Sequence, residues 1–280
     1  CAADFIVAHN AKFELQWLDR SGIDTGKLLV FDTMLGEYVR LGNRRGPKDL
    51  DSLLKRYKIG QKNQLVKRLI RSGICPSEIP HKWLTAYGCA DTYGTKELFL
   101  KQRAELRDAG LLPTLFTRCI TTPVLADIEK NGMQLDGERV REEYDVIAGK
   151  LERVNADLAD QAGNINFRSS KQLAALLYDK LGFAELLGRG GEPKRTAGGG
   201  RCTDAATISM LDAKTEAQRR FSETISLYSN LKYEHDTIGK MLACVEENGG
   251  LLQARFNQSV TQTHRLSSSG EKYAIQFQNI

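Results

Sequence analysis

Much that would place a protein at a glance is missing from these 280 residues. No window approaches the roughly 18 uncharged apolar residues that a helical membrane span requires, which excludes that class. No charged-then-apolar signal pattern appears in the first residues given, which begin with Cys1. The cysteines at 1, 75, 89, 119, 202 and 244 lie far apart and form no Cys-x-x-Cys pair. In a chain of this size they read as reduced thiols, packed as small hydrophobes in an intracellular protein. Internal repeats are absent as well.

The composition is that of a globular protein with unevenly spread charge. Hydrophobic residues make up 41% of the chain, enough for one large domain or two ordinary ones. The formal net charge is +5. Residues 1–110 hold 19 Lys and Arg against 13 Asp and Glu, whereas residues 111–280 hold 21 against 22. The excess concentrates in RRGPKDLDSLLKRYKIGQKNQLVKRLIR at 44–71, with ten basic and two acidic residues. Such a stretch attracts phosphate backbones through counterion release, and it is also what a solvated helical face looks like.

The first 110 residues alternate between strand-like runs at 4–8 and 28–32 and helical runs at about 11–20, 49–58, 62–71 and 82–109. This is an α/β pattern with too few strands to close a sheet, so further strands are expected before Cys1. Gly110, with Pro113 beyond it, is expected to cap the long helix, and a domain boundary is expected there. The chain then reads as mainly helical over 113–131, 137–162 and 169–182, with Ser169 or Ser170 capping the last. GRGGEPKRTAGGG at 188–200 has six glycines in thirteen residues and is expected to be a mobile basic loop. Over 215–245, Phe221, Ile225, Tyr228, Leu231, His235, Ile238, Leu242 and Val245 recur at steps of three and four. That spacing makes a seam for a partner helix, with His235 packed inside it. Gly249-Gly250 stops this helix, and LLQARFN at 251–257 reads as a strand ahead of a polar tail.

Three clusters could carry chemistry. In VAHNAKFELQWL at 7–18 a strand gives way to a helix, Asn10 can cap that helix, and Phe13 and Glu14 lie on its first turn. An Asn-capped helix with an acid near its positive end has the same appearance. In Tyr87-Gly-Cys-Ala-Asp91 the phenol and the carboxylate share one helix face. The pair suits a hard-metal site in which the metal lowers a water's pKa and the phenol holds that water in line with a phosphate. Chance Tyr-x-x-x-Asp pairs are nonetheless common. In Thr261-Gln-Thr-His-Arg265-Leu-Ser-Ser-Ser269 one arginine sits among hydroxyls and amides. It could touch a phosphate or a minor-groove edge, or the stretch could be a polar surface loop.

Taken in order, the three resemble the family A DNA polymerases, the group of bacterial DNA polymerase I and its phage relatives. HNAKFE is similar to the second motif of that family's 3′→5′ exonuclease domain, and YGCAD to the third, Tyr-x-x-x-Asp. FDTMLGEYV at 31–39, LDSLLKRY at 50–57 and KNQL at 62–65 are similar to the segments between them. PVLADIEKNGMQLD at 123–136 resembles the opening of the polymerase domain, where a Pro-led helix ends in E-x-N-G. INFRSSKQLAALLYDKLGF at 165–183 resembles the start of the thumb, and HRLSSS with QFQNI the entry to the palm.

The resemblance implies an α/β, ribonuclease H-like 3′→5′ exonuclease domain, N-terminally incomplete, over 1–110. A polymerase domain would begin over 111–280, with a mainly α thumb at about 137–248 and palm entry at about 249–280. It implies metal-ligand roles for Glu14 and Asp91, and for Tyr87 the orientation of the attacking water. Asn10 and Phe13 would hold a frayed single-stranded 3′ end. Arg265, Gln278 and Asn279 would touch the primer–template, and Lys171 and Lys232, with the 188–201 loop, duplex phosphates. The implied cofactor is Mg²⁺ in two-metal sites. The implied partners are primer–template DNA and dNTPs, for a monomer in the cytoplasm of a bacterial cell or phage-infected host.

The chain departs from the family's pattern in three ways. The second exonuclease motif usually carries Asp where this chain has Glu14, and one added methylene moves the carboxylate by about 1.5 Å against a tolerance of about 0.5 Å. His264 stands where the bacterial enzymes carry Gly. The family's first Asp-x-Glu pair, its palm aspartates and its fingers helix do not occur in these 280 residues. The expectation is therefore the middle of a longer proofreading polymerase, catalytically incomplete by itself. Two alternatives stay open: a stand-alone ribonuclease-D-like exonuclease, and a non-catalytic DNA-binding module with a decayed exonuclease site.

Overall fold

Two apolar runs become the strands β1 (Ile6–Ala8) and β2 (Val30–Asp32), which pair in parallel with Ala8 opposite Asp32. A parallel pair needs a crossover, and α1 (Ala11–Arg20) provides it by burying Ala11 and Leu15. The computed structural model describes residues 5–26, 28–60, 64–163, 165–188, 191–270, 272, 273, 275 and 277. Helix α2 (Thr33–Leu41) follows β2 directly and has no counterpart among the expected helices. Seven of its nine residues are buried, so it lacks the polar face that makes a helix visible as a period. Gly36 is part of that burial, because a Cβ there would lie 2.9 Å from the Gln102 side-chain oxygen.

Helices α3 (Leu50–Arg56) and α4 (Gln64–Arg71), a 3₁₀ turn at Pro76–Glu78, and the long α5 (His81–Asp108) follow the expected order. Helix α5 ends one residue earlier than expected, at cap Ala109, and Gly110 takes the left-handed position after it at φ 68°. Helix α6 (Leu112–Asn131) runs through Pro123 without a break, so that proline does not open a new helix.

The chain divides into two compact units, one of Cys1–Met133 with Gln253–Ile280 and one of Gln134–Leu252. The first unit thus continues past the expected boundary at 110 to Met133. Helix α6 explains the continuation, because Leu115 and Cys119 join the core of Phe31, Leu35, Val39 and Leu106, and Ala126 joins that of Ala8, Leu15 and Val30. In the same unit the buried Glu37 carboxylate accepts from Arg40 at 2.9 and 2.6 Å and pairs with Arg56. Tyr57 donates to Glu105 at 2.9 Å, and burial pushes its phenol well above the ordinary value. Beyond Gln253, β5 (Arg255–Asn257) pairs antiparallel with β6 (Ser267–Ser269), Phe256 opposite Ser268.

The short strands β3 (Met133–Gln134) and β4 (Leu251–Leu252) mark where the chain passes between units. The single strand expected over 251–257 is thus two strands, interrupted at Gln253-Ala254. In the second unit, α7 (Gly137–Ala162) has the expected bounds, and α10 (Glu216–Asn248) packs along it. The expected seam is present: Phe221, Ile225 and Leu231 are buried, and the His235 ring lies 4.8 Å from that of Tyr144. Burying a side chain such as Phe221 contributes roughly 1.5–3 kcal/mol.

The run expected as one helix at 169–182 splits into α8 (Ser170–Ala174), capped by Ser169, and a π-helical stretch at Ala175–Lys180. Helix α9 (Ala205–Ser209) lies between that stretch and α10. Among the described residues, no helix is long and apolar enough to cross a membrane.

Candidate nucleic-acid interface

The turn at 9–10 is organised by a residue outside the quoted motif. Asp32, 2% exposed, accepts the backbone N–H groups of Asn10 at 3.0 Å and Ala11 at 2.8 Å. It also accepts those of Met34 at 2.8 Å and Leu35 at 3.4 Å. One carboxylate therefore serves the N-termini of α1 and α2 together, where both helix dipoles favour negative charge. Burial nonetheless pushes the Asp32 acid above its ordinary value, outweighing the four amides. Burial likewise pushes the neighbouring Cys119 thiol up to about 12. The expected capping by Asn10 is corrected: Asn10 lies at φ 64° and its side chain makes no cap bond. An acid ending an apolar run before a helix is a cap signal that β2 carried in plain sight.

The outward side of α1 is aromatic and basic. Phe13 and Trp17 are each 53% exposed, their rings meet edge-on at 6.2 Å, and the Arg20 guanidinium lies 5.6 Å over Trp17. These three and Asn10 line a pocket of about 350 Å³ whose other wall is residues 255–259. At its base the buried Glu129 carboxylate takes Lys12, the Gln16 amide at 2.8 Å and the Phe256 N–H. The Lys12 ammonium also reaches the Phe256 carbonyl. Glu129 thereby ties α1, α6 and β5, a role that its place in IEKNG did not reveal.

The other exonuclease-like residues lie elsewhere. Glu14 is exposed on the first turn of α1, while Tyr87 and Asp91 are half-buried on α5. None of the three is among the residues lining this pocket. Among the described residues, no three His, Cys, Asp or Glu side chains approach closely enough to hold a metal ion. Glu14 and Asp91 thus do not make up a metal centre with other described residues.

The HRLSSS stretch is folded against α2 and α6. His264 adopts φ 61°, its ring lies 4.6 Å from that of Tyr38, and its Nδ1 accepts from Arg118 at 3.0 Å. Tyr38 donates to the Thr261 carbonyl at 2.6 Å. The His264 side chain, where the bacterial enzymes carry none, is thus engaged within the protein. Arg265 beside it is exposed.

In the second unit Lys171 is exposed, whereas Lys232 donates to Asp236 at 2.7 Å beside Arg168, which donates to the same carboxylate at 2.8 Å. The loop expected to be mobile is bridged at Leu187–Pro193 and Arg195–Arg201. Arg195 pairs with Glu185, and Arg201 grips Asp179 through two bonds of 2.6 Å. Within the basic 44–71 stretch, Arg56 binds Glu37, and Lys55 and Lys67 share Asp51, so part of that charge is neutralised locally. Gln278 and Asn279 lie outside the described residues.

This fold, with a parallel strand pair and its helices in one unit and a long helix pair in the other, is matched by that of a solved polymerase domain. The structure matches the POL domain of Pol1 from M. smegmatis, solved in complex with DNA primer-template and dNTP, with TM-score 0.71 and 24% identity over 97% of this chain and 42% of that one. DNA polymerase I of Chloroflexus aurantiacus is 28% identical over 269 residues, 94% of this chain and 27% of its own. The thermostable DNA polymerase I of Thermus aquaticus is 32% identical over 147 residues, 52% of this chain and 17% of its own. The model of DNA polymerase family A matches residues 137–280. The chain belongs to DNA polymerase family A, and it spans about a quarter of the length of relatives such as the Chloroflexus enzyme.

Proposed function

We propose that this chain is the DNA-handling middle of a DNA-dependent DNA polymerase that also proofreads. The enzyme would extend a primer with deoxynucleotides and excise mispaired 3′ ends. The observation that carries this reading is the likeness to a DNA polymerase I over 94% of the chain, an extent that takes in residues 87–91. The relative solved with primer-template and dNTP supports the choice of partners.

In this reading Asn10 and Phe13 hold the unpaired 3′ end, and Tyr87 orients the attacking water. Glu14 and Asp91 supply two carboxylates toward Mg²⁺, which would polarise phosphate and water once further donors complete its shell. Arg265, Gln278 and Asn279 lie along the primer–template, and Lys171 and Lys232 along duplex phosphates. The 280-residue chain alone is expected to bind primer–template weakly and to catalyse neither reaction.

The test is made on the complete polymerase. Asp91→Ala should abolish release of a mispaired 3′ nucleotide in a gel assay while leaving matched-primer extension near normal. Loss of both activities would overturn the assignment of Asp91 to a separate exonuclease site. A second reading, a DNA-binding module whose exonuclease site has decayed, is favoured by Glu14 in place of Asp. It predicts that the unaltered complete protein shows no Mg²⁺-dependent 3′→5′ degradation at all.

A further inference from the structure

We propose that Gly94 is a positioning residue for 3′→5′ excision: by letting α3 lie against α5 with no side chain between them, it sets where α5 holds Asp91 and Tyr87. The proposal rests on the reading above that these two residues belong to an exonuclease site. It adds a residue that has no side chain of its own to offer the reaction.

Helix α5 is anchored along one half only. Its buried residues are Gly94, Thr95, Leu98, Gln102 and Leu106, whereas none of residues 81–90 is buried. Two polar bonds hold the same half. The Gln102 amide donates to the Thr33 carbonyl at 3.1 Å, and the Lys101 ammonium to that of Tyr57 at 2.7 Å. Tyr87 and Asp91 precede this half, so their places follow from how it is seated. Gly94 is the buried residue nearest to them along the helix. A rise of about 1.5 Å per residue puts it about 4.5 Å beyond Asp91 and about 10.5 Å beyond Tyr87.

The seat at Gly94 has no slack. A Cβ there would lie 2.9 and 3.0 Å from the two methyls of Leu54 and 3.5 Å from its Cγ, where carbon atoms settle at about 3.5–4.0 Å. Leu54 is 3% exposed and packed in the cluster of Leu50, Leu53, Tyr57 and Leu98, which holds its methyls in place. Nor can α3 recede as a whole. Arg56 at its end pairs with the buried Glu37 of α2, and Tyr57 donates to Glu105 on the far half of α5. A methyl at 94 is therefore accommodated by displacing α5 by roughly 0.5 Å. That is as large as the tolerance of about 0.5 Å within which a catalytic group must be held.

Gly88 supplies the contrast. It lies between Tyr87 and Asp91 on the same helix, yet a Cβ there would meet nothing within 4 Å. Glycine inside a helix is otherwise disfavoured relative to alanine, so packing calls for it at 94 and not at 88.

The test is made on the complete polymerase, at a temperature at which circular dichroism shows every variant folded. Excision of a mispaired 3′ nucleotide is followed in single turnovers. Gly94→Ala should lower the maximal excision rate about tenfold. The half-saturating concentration of single-stranded DNA and the extension of a matched primer should stay near their wild-type values. Adding Leu54→Ala, which removes the atoms that the new Cβ meets, should recover most of the rate, although it also takes buried apolar area out of the core. A merely structural role would run the other way, with the double variant the more impaired. Wild-type excision in Gly94→Ala, or a loss that Leu54→Ala does not relieve, overturns the positioning role and leaves the proofreading reading standing. Loss of extension together with excision also overturns it, because Gly94 would then serve the fold at large. Absence of excision from the unaltered polymerase overturns the proofreading reading, and this proposal with it.

Discussion

The imidazole of His264 lies 4.6 Å from the ring of Tyr38, and His264 reaches that position from a backbone bent to φ 61°. Left-handed backbone is glycine's territory, and any residue with a Cβ is strained there by roughly 1–2 kcal/mol. Histidine at this position is held by contacts that glycine could not make: the ring pair with Tyr38 and the bond from Arg118 at 3.0 Å. Together with the Tyr38 hydroxyl on Thr261, they fasten the loop carrying Arg265 onto α2 and α6.

Substitution can separate strain from contact. His264→Ala keeps the strained backbone and loses both contacts, and should destabilise the first unit by roughly 1–3 kcal/mol. His264→Gly loses the same contacts and relieves the strain, so it should be milder than Ala by about 1 kcal/mol. Urea unfolding followed by tryptophan emission reads this unit alone, because Trp17 and Trp83 both belong to it. A Gly variant less stable than the Ala variant would show that the left-handed backbone is not what His264 is working against.

Asp32 joins two helix starts, so its loss should exceed that of an ordinary cap. Asp32→Ala strands four backbone N–H groups, those of Ala11 and Leu35 buried, and should cost roughly 2–4 kcal/mol, about two caps' worth. Asp32→Asn keeps one acceptor oxygen and should cost less. The pH dependence has a definite sign. Burial raises the folded acid above its ordinary 3.8, so just above that pH the folded chain holds a proton that the unfolded chain releases. Stability of the first unit should therefore fall as pH rises from about 4 through the folded value. In urea melts across this window, the difference between wild type and Asp32→Asn should shrink as pH rises. A difference that grows would mean that the four amides outweigh burial.

These two residues also show what a sequence can and cannot reveal. The bounds of α1 and α7 were legible because their apolar residues repeat on one face while the other face is polar. The α10 seam was legible for the same reason. Helix α2 was not, because burial on nearly every side erases the period. The first compact unit runs past 110 because Gly110 and Pro113 signal the end of a helix, not the end of a core, and α6 continues the core beyond them. Asn10, Phe13 and Glu14 were rightly seen as neighbours on one turn, but the turn is held by Asp32, more than twenty residues on, and no local spacing encodes that pairing. The 188–200 loop was expected to be mobile from its glycines, yet its restraints come from Asp179 and Glu185, which precede it.

The placement of Lys232 leads to a prediction of opposite sign for its two partners. Lys232 and Arg168 both donate to Asp236, and the Lys232 ammonium is the main reason that the Asp236 carboxyl lies below its ordinary value. Asp236 therefore stays ionised at neutral pH and competes with any phosphate for both cations. If Lys232 meets the duplex, Lys232→Ala should weaken primer–template binding and lower the salt slope by about one. Asp236→Asn should do the reverse, releasing two cations and removing a negative charge, and should tighten binding several-fold at low salt. Neither change should alter stability much, because exposed pairs such as these contribute about 0–1 kcal/mol. Fluorescence anisotropy with a labelled primer–template at two salt concentrations measures both effects. Unchanged binding in Lys232→Ala together with weakened binding in Asp236→Asn would show that the pair only braces α10 and that duplex phosphates meet the protein elsewhere.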